Sequence, residues 1–129
     1  MIIVDTSVWV QAFRINASPE HREVVRLLAQ GEVSMVGAVL AEVLQGVRSQ
    51  QEFERLRERV AALPYLDETK ETWTRVAALS YQMRQSGQPV GTVDLLIAAL
   101  ALEHGCTLYT LDDHFQRIPG LALHQAGKP

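Results

Sequence analysis

One segment of this chain has no polar face. A helix opening near Thr92 and running to about His104 would carry Leu95, Leu96, Ile97, Ala98, Ala99, Leu100, Ala101 and Leu102 in unbroken succession. Such a helix offers nothing to water on any side, so it must lie at the centre of a domain and be covered by other elements. It is much too short to cross a bilayer, and the opening MIIVD has no basic lead of the kind that starts a signal peptide. The chain therefore reads as a soluble, cytoplasmic protein. Its 129 residues, 47% of them hydrophobic, suffice for one domain spanning 1–129 with a real core.

The elements that surround this helix follow from local pattern. Residues 1–4 form a short Ile/Val run ending at Asp5, the signature of a buried parallel strand. A short helix over 7–13 follows. Ser18, Pro19 and Glu20 then supply an N-cap, a first-turn proline and a first-turn acid for a helix that stops at Gly31. A second strand over 33–36 leads through Gly37 into a helix that carries Glu42 about one turn inside. Phe53, Leu56, Val60 and Leu63 mark an amphipathic helix over 49–63, ended by Pro64. A minimal strand at 65–66 precedes a long helix over 68–86, whose apolar stripe is Trp73, Val76, Ala77, Ser80 and Met83. After the loop of Gly87, Pro89 and Gly91, Thr92 can cap the central helix. A strand over 107–109, a short helix over 113–117 and an edge strand over 121–123 complete the chain. Strands alternating with helices imply an α/β fold of parallel βαβ units with helices on both faces of the sheet.

Four acidic residues stand at the joints of this plan: Asp5 and Asp112 at strand ends, Glu42 and Asp94 near helix starts. In open parallel sheets ligands bind outside the carboxyl ends of the strands, where these joints lie. Each acid has a bland reading. Asp94 could answer the helix dipole, Asp5 could cap the helix after it, and Asp112 could stabilise a turn. Glu42 has the weakest such reading, because it lies between apolar neighbours where an unpaired carboxylate is costly. One shared crevice accounts for all four. Crowded carboxylates repel unless a cation neutralises them, and a set of oxygen ligands suits Mg²⁺ or Mn²⁺. Such an ion commonly activates water against a phosphodiester. Asp113 competes with Asp112 for the fourth place. The hydroxyls of Thr6, Ser7 and Thr110 could orient ligands or phosphate, although such groups more often satisfy the backbone. Of the four histidines, only His114 is close enough to an acid to merit mutation, and a surface position is its simpler reading.

The formal charge of -3 hardly looks like that of a nucleic-acid binder. Removing the four candidate ligands from the 15 acidic residues leaves 11 against 12 basic ones, ten of them arginine. Net charge thus decides nothing about the partner. The single Cys106 excludes an internal disulfide and fits a reducing compartment.

Four fragments resemble the PIN-domain family, and within it the VapC toxins of toxin–antitoxin pairs. They are Asp5-Thr6-Ser7-Val8-Trp9, Ala41-Glu42-Val43-Leu44-Gln45-Gly46, Thr92-Val93-Asp94-Leu95-Leu96-Ile97-Ala98-Ala99 and Thr110-Leu111-Asp112-Asp113-His114-Phe115. The last is similar to the family's T-x-D-x-x-F, which favours Asp112 over Asp113. The resemblance implies a three-layer α/β/α sandwich around a mainly parallel sheet, of about five strands by the count above. It implies a Mg²⁺- or Mn²⁺-dependent endoribonuclease with Asp5, Glu42, Asp94 and Asp112 as its acidic pocket, acting on single-stranded or loop RNA. It also implies a homodimer, a cognate VapB-like antitoxin that blocks the pocket, and hence a hetero-oligomer.

The alternatives lack their residues. A haloacid-dehalogenase-like phosphatase needs an aspartate where Ser7 stands, and a receiver module needs a lysine that neither Lys70 nor Lys128 supplies. No glycine-rich nucleotide-binding pattern occurs. An RNA- or antitoxin-binding domain with an inactive pocket is the remaining rival.

Overall fold

The computed structural model describes residues 1–15 and 17–126; the tail lysine, Lys128, lies outside them. Four strands, β1 (Ile2–Val4), β2 (Val33–Val36), β3 (Tyr65–Leu66) and β4 (Thr107–Tyr109), pair in parallel in the order β3-β2-β1-β4. Every residue of β1 and β2 is buried, so both faces of the sheet are covered. The covering helices are α1 (Thr6–Arg14), α2 (Pro19–Ala29), α3 (Gly37–Gln45), α4 (Gln50–Ala61), α5 (Lys70–Gln85) and α6 (Thr92–His104). Helix α1 packs on α2 and α3, and α5 packs on α6, which gives the α/β/α sandwich.

Helix α6 is the centre that its sequence demands. Leu95 through Ala101 are all buried, and Gly105, at φ 63, ends the helix in the left-handed conformation that glycine adopts without strain. Its N-cap is Gly91 rather than Thr92, which instead begins the first turn. In α5 the buried stripe is Thr72, Val76, Leu79 and Met83, so the expected stripe is rotated and Trp73 is half exposed. The cause is polar. Thr72 closes a capping box with Thr69 and donates a 2.9 Å hydrogen bond to Glu103 of α6, which turns that residue inward.

The sheet has four strands where the sequence pattern gives five. Beyond β4 the chain makes a single bridge, Leu108 to Leu123, with Leu108 N–H donating to Ala122 O and His124 N–H to Leu108 O. Pro119 and Gly120 precede this segment and leave it too short to extend the pairing. The segment after β4 that carries Asp113 to Arg117 is a 3-10 helix, η1.

Because β1 lies between β2 and β4, the chain leaves β1 toward one side of the sheet and fills the other side last. That is the topological switch point, the place outside the carboxyl ends of β1 and β4 where open parallel sheets take their ligands.

Candidate metal centre

Asp5 follows β1 directly and is buried, with its backbone N–H donating to Tyr109 O at 2.8 Å. It occupies the N-cap position of α1, yet its side chain makes no capping bond. Asp5 Oδ2 instead accepts from Ser7 Oγ at 3.0 Å and Thr110 Oγ1 at 2.8 Å. Both hydroxyls also accept from the turn after β4, Ser7 from Leu111 N–H and Thr110 from Asp112 N–H. Two small alcohols thus fasten the end of β1 to the end of β4.

Asp112 caps η1 in position but not through its side chain. Its Oδ1 lies 3.0 Å from His114 Nδ1, and the other ring nitrogen, Nε2, lies 2.6 Å from Asp94 Oδ2 in the first turn of α6. A carboxylate only accepts, so a ring nitrogen bonds it where that nitrogen carries the hydrogen, which the tautomer sets. An unbroken path therefore runs from Asp5 through Thr110, Asp112 and His114 to Asp94, across four elements of the fold. Glu42, half-buried on α3, is held apart from this path, its Oε1 accepting from Thr6 Oγ1, next in the chain to Asp5, at 2.9 Å. Gly37 allows α3 to start without a loop after β2, because a Cβ there would meet the Tyr65 hydroxyl at 2.5 Å.

Among the described residues the four carboxylates share one pattern. Each has one oxygen held against a polar side chain: a hydroxyl at Asp5 Oδ2 and Glu42 Oε1, the His114 ring at Asp94 Oδ2 and Asp112 Oδ1. Each has a second oxygen with no protein donor, and none of these is sealed from solvent. No arginine or lysine pairs with any of the four. Ligand atoms of Asp94, Asp112 and His114 lie within 4.8 Å of one another. The donor set, mainly carboxylate oxygen, is of the kind that hard divalent cations take. Asp112, and not Asp113, stands in this group, although both are exposed; Asp5 and Glu42 lie outside it.

His114 is the residue whose place the sequence concealed. It is one-third exposed, but its ring is the link between two acids 18 residues apart in the chain. Its neighbourhood to Asp112 was the one available signal.

A cleft of about 430 Å³ opens beside Glu42, lined by Val10, Phe13, Arg14, Val47, Arg48 and Leu56 among others. Arg14 and Arg48 form no ion pair among the described residues.

Comparison with known proteins agrees with this architecture. A family model described as PIN domain matches residues 2–121. The chain is 35% identical over 130 residues to ribonuclease VapC11 of Mycobacterium tuberculosis, covering 98% of this chain and 97% of the relative. It is 26% identical over 131 residues to ribonuclease VapC2 of Rickettsia felis, covering 98% of each. Among solved structures it is similar to VapBC2 from Rickettsia felis, bound to a DNA fragment from their promoter, with a TM-score of 0.80, 25% identity and coverage of 96% of this chain and 98% of that one.

Proposed function

This chain belongs to the PIN domain family, and from that premise we propose that it is a divalent-metal-dependent endoribonuclease, the toxin of a toxin–antitoxin pair. The observation that carries the reading is that each of the four acids has one oxygen held against a polar side chain and a second without a protein donor, with ligand atoms of Asp94, Asp112 and His114 gathered within 4.8 Å. The names of the relatives support RNA as substrate, and the VapBC2 complex supports a VapB-like antitoxin as partner.

In this reading Asp5, Asp94 and Asp112 hold one or two Mg²⁺ or Mn²⁺ ions, with Glu42 completing the set or steering the attacking water. A bound ion would stabilise the charge that develops on phosphate and lower the pKa of water. The protein's own work is placement. Ser7 and Thr110 fix Asp5, and Thr6 fixes Glu42, so the open oxygens are aimed before substrate arrives and need little reorganisation. Attack of water in line with the P–O3′ bond forms a new P–O bond and breaks the old one. The proton passes to the leaving oxygen, giving a 5′-phosphate and a 3′-hydroxyl. Arg14 and Arg48 flank the cleft beside Glu42 and supply charge for the flanking phosphates. A single strand or loop can enter such a crevice, whereas a stacked duplex cannot.

The test is cleavage of a structured RNA by the purified protein with Mn²⁺, with EDTA, and in the Asp94→Asn variant. Cleavage with Mn²⁺ only, lowered at least about 100-fold in the variant, is expected. RNA binding without cleavage under every metal condition would favour a binding module with an inactive pocket.

A further inference from the structure

We propose that His114 is the positioning residue of the metal centre: one ring that holds Asp94 and Asp112 in the mutual geometry an ion requires. This rests on the metal reading given above and assigns a role to a residue outside the acidic quartet.

The geometry separates His114 from an ordinary surface histidine. Its two nitrogens are both spent on carboxylates, at 2.6 Å to Asp94 Oδ2 and 3.0 Å to Asp112 Oδ1. Those acids come from different elements, the first turn of α6 and the N-cap of η1, with no other side-chain hydrogen bond between a protein donor and either carboxylate among the described residues. Asp5 has two hydroxyls and Glu42 has one, but Asp94 and Asp112 depend on the same imidazole. The ring itself is oriented by stacking on buried Phe115, with centroids 5.3 Å apart and planes at 24°. Phe115 is thus the support, His114 the crosspiece, and Asp94 Oδ1 with Asp112 Oδ2 the pair left without a protein donor among the described residues.

The chemistry follows from what such partners do. A carboxylate ligand rotates about its last side-chain bond, and a donor on one oxygen fixes the direction of the other. Loss of a partner of this kind typically weakens metal binding by about 10–100-fold. Removing His114 also leaves two facing carboxylates without the one donor group that separates them, so the pair spreads.

The experiment measures Mn²⁺ affinity directly, by calorimetry and by the electron paramagnetic resonance of the bound ion, on the wild-type chain and on the His114→Phe and His114→Gln variants. Phe keeps an aromatic ring against Phe115 and removes both ring nitrogens; the amide of Gln can restore one of the two contacts. The expected result is Mn²⁺ binding about 10–100-fold weaker in His114→Phe and intermediate in His114→Gln. Thermal unfolding without metal should be unchanged, and cleavage in His114→Phe should recover when Mn²⁺ is raised to saturation. Unchanged or tighter binding in His114→Phe would overturn the proposal. So would nitrogen coupling from the ring to bound Mn²⁺ in the wild type, which would make His114 a ligand. If the wild type binds no Mn²⁺, the failure belongs to the metal reading itself. Should His114→Phe fail to fold, His114→Gln carries the same comparison, and wild-type affinity in it overturns the proposal.

Discussion

Two clusters in this molecule place a histidine 2.6 Å from a carboxylate, and they differ in what is left over. In the first, Glu23 on α2 meets Arg26 through both oxygens, at 2.7 and 3.0 Å, and His124 through Oε2 at 2.6 Å. Both oxygens are taken, the charge is balanced by arginine, and Glu23 is buried. The cluster is closed. It pins the segment after β4 to α2 across 101 residues of chain, and Tyr109 stacks edge-on against the His124 ring. In the second, Asp94 and Asp112 share one imidazole, and among the described residues no arginine or lysine joins them and each keeps an oxygen without a donor. A cluster that satisfies every acceptor holds the fold together, whereas one that leaves half its acceptors without a donor has charge to spare, which is what the proposed metal reading uses.

The contrast breaks most sharply under paired substitution. Glu23→Ala should lower stability by about 1–3 kcal/mol, read as a shift of the urea midpoint, because His124 loses its partner while half-exposed Arg26 rehydrates. Its cleavage rate per folded molecule should be unchanged. Asp94→Asn should do the reverse, losing cleavage with the midpoint unchanged or raised, since it removes one of several like charges. A Glu23→Ala protein that folds but has lost cleavage would show that the two clusters are not independent.

Acid sharpens the comparison further. The Arg26 guanidinium, opposed by burial and assisted by His124, holds the Glu23 carboxyl down from its ordinary 4.5 to about 2. The folded chain therefore keeps this group ionised where the unfolded chain protonates it. Its contribution is complete above about pH 4.5 and is lost as pH falls toward 2. Allowing for solvent screening at Arg26, that contribution is about 1–2 kcal/mol. Urea midpoints measured from pH 5 to pH 2.5 should fall less steeply in Glu23→Gln than in the wild type, and parallel slopes would contradict the pairing. The smallest effect belongs to the exposed Arg57–Glu54 pair on α4, also 2.6 Å long. Arg57→Ala should leave the midpoint within error, because water competes for both groups.

Much of the fold was legible in the chain because it is written in local pattern. The unbroken apolar run of α6 required a central helix, and the Ser18-Pro19-Glu20 start of α2 lies where the sequence placed it. The strand-end and helix-start positions of Asp5, Asp94 and Asp112 follow from the same patterns. Where local pattern failed, a long-range bond decided. Trp73 turned outward because Thr72 bonds Glu103, 31 residues away, and the fifth strand dwindled to one bridge beside β4.

The order of elements, the burial of α6 and the set of acids at the strand and helix joints were determined by the sequence alone, since periodicity and capping act within a few residues. Only the tertiary structure decided which oxygen of each acid is held, that one imidazole serves both Asp94 and Asp112, and that Glu23 is closed while the quartet is open. Those bonds join residues up to 105 positions apart, and their geometry exists only once the sheet has brought its strand ends together.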